Sequence, residues 1–229
     1  MNTIKSTSPR PSQCVLSFYV VPDRNVISLP VVAPWLTATH SRNAAAEWHE
    51  SMTRELPLLV RVVGAALGEL RTEANTIGLR KVSVAVGAEK AVLNLLRDLL
   101  VEREDDVILY SQHPAPVRLL LFRLLLQKRL PVIIDQAACV RRTYNLAVAI
   151  SLQSTVASVP LHVATHAIGG GPVYPMPGEG EIEGAFSDGQ WAHVEKHLIS
   201  ELDLTAYLYC RLAGVESSQF RSVRSADPQ

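Results

Sequence analysis

Residues 81–128 read KVSVAVGAEKAVLNLLRDLLVEREDDVILYSQHPAPVRLLLFRLLLQK, and this stretch decides the fold class. Lys81 to Val86 alternates Val82, Val84 and Val86 with Ser83 and Ala85, the period of a half-buried strand. Ala88 to Glu102 puts Val92, Leu95, Leu96 and Leu99 on one face of a helix. Val107 to Tyr110 is a short buried strand. Pro116 suits the first turn of a second helix running to Lys128. Strand, helix, strand, helix in succession predicts an α/β fold.

The pattern extends in both directions. Upstream, Val15 to Val21 and Asn25 to Val32 read as strands, with Pro30 placing the second near a sheet edge. Asn43 to Leu56 reads as helix, and Pro57 opens another from Leu58 to Glu73. Downstream, Val132 to Asp135 is a strand, Tyr144 to Leu152 is helical, and His162 to Ile168 is a short helix stopped by Gly169-Gly170-Gly171. A Gly/Pro-rich loop covers Pro172 to Gly184, and a last helix runs from Asp188 to Leu212. Residues 1–13 and 216–229 are polar and rich in serine, and read as mobile tails around one domain, 14–215.

Composition narrows the function classes. The chain has 229 residues, 22 Lys+Arg against 22 Asp+Glu, and a mean hydropathy of +0.14. Zero net charge gives no support to a general nucleic-acid binder, whose phosphate contacts require cations. Cys14, Cys139 and Cys210 have neither metal-ligand nor disulfide-framework spacing, and read as reduced thiols of a cytoplasmic protein. The most apolar helix is too short for a bilayer, so no membrane partner is expected. No Walker phosphate loop, dinucleotide fingerprint or G-x-S-x-G elbow is present.

Three blocks of sequence carry a resemblance. Ala88-Glu89-Lys90 opens a helix, Val107-Ile108-Leu109-Tyr110-Ser111-Gln112 ends a strand, and Pro114-Ala115-Pro116-Val117-Arg118 leads into Leu121-Phe122-Arg123-Leu124-Leu125. The second block is Pro177 to Gly184 with the helix His197 to Arg211, which holds Thr205 and Tyr209. The third is Leu16-Ser17-Phe18 with Val21-Pro22-Asp23. Together they resemble the DEDD-type 3′→5′ exonucleases related to the proofreading domain of family B DNA polymerases. Those proteins carry G-F-D-L-P-V-L in the middle, G-I-P-G-K-x-x-x-D-G later, and V-F-D-I-E-T-V-P-D in the first strand. The likeness spans about three quarters of the chain. It implies a ribonuclease-H-like mixed sheet flanked by helices, with a helical C-terminal half.

The family's reaction is two-metal phosphodiester hydrolysis, which needs several converging carboxylates. The resemblance carries the family's ligand positions onto Tyr19 and Val21 or a short deletion between Phe18 and Val21, onto Pro116 beside Ala115, and onto His197 and Glu201. Only Glu201 keeps a carboxylate. The expectation is a pseudo-exonuclease with no catalytic residue and no cofactor. Mg²⁺ or Mn²⁺ would belong only to the alternative of an active nuclease with rearranged ligands. His193, His197 and Glu201 share one helix face and are zinc candidates, against the alternative of a polar helix face, while His162 and His166, also four apart, read as capping a helix end.

Two roles remain. One is a protein-interaction subunit or homo-oligomer, with Leu119-Leu120-Leu121 and Leu124-Leu125-Leu126 placing leucine all round one helix. The other is a nucleic-acid-binding module using Arg118, Arg123, Lys128, Arg129, Arg141 and Arg142 to follow a phosphate backbone.

Overall fold

The computed structural model describes residues 12–23, 60–103, 106–111, 117–127, 141–146, 161–169 and 179–223. The expectations for 25–32, 43–56 and 132–135, together with Ala115, Pro116, Lys128, Arg129 and Cys139, lie outside these residues. The described strands are β1 (Gln13–Pro22), β2 (Val60–Glu73), β3 (Thr76–Val86), β4 (Val107–Tyr110), β5 (Thr143–Asn145) and β6 (Phe220–Arg221). The helices are α1 (Glu89–Arg97), α2 (Val117–Leu126), α3 (Leu161–Ala167), α4 (Glu179–Ser187) and α5 (Trp191–Leu212).

The strands form one mixed sheet in the order β5-β4-β1-β2-β3-β6. β1, β2 and β3 are antiparallel neighbours, while β4 runs parallel to β1, β5 parallel to β4, and β6 parallel to β3. The chain is therefore an α/β protein with helices against its sheet. Among the described residues, no helix is long and apolar enough to cross a membrane.

Period-two alternation divides the core between the two faces of the sheet. Leu16, Phe18, Val62 and Ala65 meet Val92, Leu93 and Leu96 of α1 and Leu120 and Leu124 of α2. On the other face Val15, Ala66, Leu70 and Leu79 meet Val194, Leu198, Leu202 and Ala206 of α5, spaced at helical intervals. A bulge opposite Gly68 keeps β3 in phase: Lys81 takes a φ of 51°, and Val82 and Val84 return to the α5 side. At Gly68 an added Cβ would sit 3.3 Å from Leu202 and 3.1 Å from Leu79, so the bare backbone lets α5 lie close.

The structure overturns several local expectations. Residues 60–73 form β2 instead of a helix. This strand lies between β1 and β3 with both faces covered, so its apolar residues run almost continuously and hide the two-residue period. Tyr144 lies in β5 rather than in a helix, because its backbone completes the parallel ladder with Leu109. Residues 179–184, expected as loop, belong to α4, where Ile182 and Ala185 are buried. Gln13 already pairs in β1. The expected C-terminal tail folds as far as residue 223, through a 3-10 turn at Ser217–Gln219 and strand β6.

Candidate functional site

α5 carries His197, Glu201 and Thr205 at intervals of four residues, which places them along one stripe beside its apolar face. β1 presents Ser17 to the same side, and Ser111 follows directly on the last residue of β4. The Ser17 hydroxyl donates to Glu201 Oε2 at 2.8 Å. Thr205 donates to the Glu201 carbonyl oxygen at 2.7 Å, which uses its one hydroxyl proton. The close Ser111–Thr205 contact must then have Ser111 as donor. His197 Nε2 lies 3.6 Å from Glu201 Oε1, and its buried Nδ1 finds no hydrogen-bond partner among the described residues. Ser17 and Thr205 are each 1% exposed, so water has little access to this network.

Next to it stands an aromatic series. Tyr19, two residues along β1 from Ser17, lies 6.5 Å from Phe186 of α4. Phe186 meets Trp191 edge-on at 5.2 Å, and Trp191 is 43% exposed.

Five side chains therefore converge here, and only one of them is a carboxylate. A two-metal hydrolytic centre needs several anionic oxygens to hold two dications. The residues present do not fit one. Among the described residues, no group of three or more His, Cys, Asp or Glu could hold a metal ion. His193, one turn before His197, is exposed. Asp203 lies fully buried on another side of α5, where it accepts the Val223 backbone N–H at 3.2 Å. Of the positions carried over by resemblance, Tyr19, His197 and Glu201 lie at or beside the cluster. Val21 is buried where β1 pairs with Arg61.

Of the basic candidates, Arg123, Arg141 and Arg142 have described side chains, and two of these three are turned into the fold. Arg123 is 4% exposed and grips Glu89 with two nitrogens, at 2.8 and 2.7 Å. Glu89 in turn accepts the Val62 backbone N–H, so the pair ties α1 and α2 to β2. Arg142 donates to the carbonyl oxygens of Leu99, Leu100, Arg103 and Asp106, closing the π-helical turn Asp98–Glu102. Both guanidinium groups are committed inside the fold, which removes them from a phosphate-tracking role. Arg141 is exposed, and Arg118 lies in the first turn of α2.

Ser17 and Ser111 escaped the sequence reading because serine in a strand carries no signal of its own. The four-residue spacing of His197, Glu201 and Thr205 was the available clue, and it extended one turn further than the zinc candidates. No family model matches this sequence, and no curated protein matches it.

Proposed function

We propose that this chain is a ribonuclease-H-like, exonuclease-related domain that has lost its metal site and serves as a protein-interaction subunit. One observation carries the reading. The three sequence blocks of the resemblance are far apart in the chain, yet β1, the end of β4 and α5 meet at Ser17, Ser111, Glu201 and Thr205. The mixed sheet with helices against it is also what the resemblance implies.

The geometry supports a different alignment of the first strand. Counting back without a gap from Val21-Pro22-Asp23 puts the Asp and Glu of V-F-D-I-E-T-V-P-D on Ser17 and Tyr19, rather than Tyr19 and Val21. Ser17 is the residue that bonds Glu201. A hydroxyl thus stands where the family has a carboxylate, and it neutralises no metal charge.

The internal use of Arg123 and Arg142 favours the protein-interaction reading over nucleic-acid binding. The leucine helix contributes little to it, since Leu119, Leu120, Leu121 and Leu124 are buried in the core and, of its leucines, Leu126 alone is exposed, at 46%. Trp191 is the better anchor, because an exposed tryptophan backed by another ring loses little side-chain freedom on binding.

The test is nuclease activity on single- and double-stranded DNA and RNA with Mg²⁺ or Mn²⁺. The expected result is no metal-dependent release of nucleotides. Release that persists through purification and disappears in Glu201→Gln would overturn the proposal and establish the active-nuclease alternative.

A further inference from the structure

Across the end of the sheet that holds the β2–β3 turn, three strands put Arg71, Gly78 and Arg221 in one row. Arg71 pairs with Gly78 and Gly78 with Arg221. Alternation sets this row on the face opposite Leu70 and Leu79, so it belongs to a different side of the sheet from the Ser17–Glu201 cluster. Glycine in the middle leaves two arginines flanking an empty position, two strand spacings or roughly 10 Å apart. An added Cβ at Gly78 would come within 2.6 Å of the Arg221 carbonyl oxygen, so the gap is a condition of β6 joining the sheet.

The gap opens into a hollow of about 120 Å³, lined by Arg71, Glu73, Thr76, Arg80, Arg221 and Ser222 among others. That volume takes a few water molecules or one compact anion. Its charge favours the anion. Arg80 clasps Glu73 with two nitrogens, at 3.1 and 2.6 Å, and holds that carboxyl below its ordinary range, so the one acid of the lining is already neutralised. Arg71 donates two nitrogens to Glu69 Oε2, a buried carboxylate that also meets Arg103 and Lys81. Among the described residues, the Arg221 guanidinium enters no side-chain hydrogen bond or close ion pair, and it acts on Glu73 only through its charge at longer range. Three guanidinium groups against one acid leave an excess of two positive charges around the hollow, in a chain whose net charge is zero.

We propose that this hollow binds a phosphate-class tetrahedral anion, either the free ion or the end of a phosphomonoester. Planar guanidinium groups give paired N–H donors to such oxygens, and Arg221 supplies the uncommitted pair. The proposal stands apart from the exonuclease-like reading and does not depend on it.

The experiment is calorimetric titration of the whole chain with inorganic phosphate and with phenyl phosphate, with sodium chloride at equal ionic strength as reference. Saturable binding of one or both phosphates is expected, with no saturation by chloride. Tighter binding of phenyl phosphate would assign the site to a phosphorylated molecule, and tighter binding of the ion would assign it to free phosphate. Arg221→Gln should weaken binding about tenfold, as expected for the loss of a charged hydrogen bond. Arg221→Lys should recover part of the loss, and Lys90→Gln on α1 should leave affinity unchanged. Circular dichroism of each variant separates a binding defect from a folding defect. Absence of saturation by either phosphate compound, or undiminished affinity in folded Arg221→Gln, would overturn the proposal.

Discussion

Ser111 and Thr205 are held by a relay that has a direction, since the Thr205 proton goes to the Glu201 carbonyl and Ser111 supplies the next one. Ser111→Ala should therefore remove one donor and leave no donor stranded, lowering stability by about 1 kcal/mol in urea unfolding. Glu69 behaves differently. Burial alone would raise its carboxyl, but hydrogen bonds from Arg103 and Arg71 outweigh burial and hold it below the usual carboxylate range. A depressed folded-state value contributes stability above the unfolded value and loses it as pH falls through the folded one. Glu69→Gln should thus cost about 2 kcal/mol at neutral pH, discounting the usual loss for the partial exposure of Arg103. The difference from the parent should shrink as pH falls below the ordinary carboxylate range, a trend that pH-dependent melting measures. Burial also pushes the thiols of Cys14 and Cys210 up to about 12. In the folded chain neither should react with Ellman's reagent at neutral pH, and both should react in denaturant.

At the scale of elements, legibility followed exposure. β3 and α1 could be read because each keeps one exposed side and a clear apolar period, whereas β4, covered on both faces, was legible only as a short apolar run. β2 could not, because a strand between two partners and under helices on both faces shows no alternation to read. β6 has two residues and was invisible for another reason: its place depends on Gly78 and on the Asp203–Val223 bond, neither of which is local. The functional cluster was half legible. The stripe on α5 follows from spacing, whereas Ser17 and Ser111 acquire meaning only when β1 and β4 lie side by side. The π-helical turn after α1 shows how much one side chain can organise. Arg142→Ala would remove a donor from four carbonyl oxygens, of which that of Arg103 keeps the Asp106 N–H, so a loss of about 3 kcal/mol is expected. Hydrogen exchange should quicken first at residues 98–102.

For the whole molecule, absence of net charge is the property with the widest reach, since it removes the long-range repulsion that keeps chains apart. With Trp191 at the surface on its Phe186 support, self-association or a stable partner is the expected state. Light scattering after size exclusion at micromolar concentration should give a mass above the 25.1 kDa of one chain, or a stoichiometric complex when a partner is supplied. Trp191→Ala should weaken that association while leaving the melting temperature nearly unchanged. A monomer with no partner would favour the nucleic-acid alternative.

The long stretch of chain between β3 and α5 has a consequence for how the protein is made. β1, β2 and β3 leave the ribosome well before residues 191–212 have been synthesised, and one side of the meander then has no cover. Val15, Ala66, Leu70 and Leu79 must wait, exposed, for Val194, Leu198 and Leu202 to arrive. Completion of this core is therefore tied to the synthesis of α5, and any pause before it prolongs the interval in which the nascent sheet needs a chaperone.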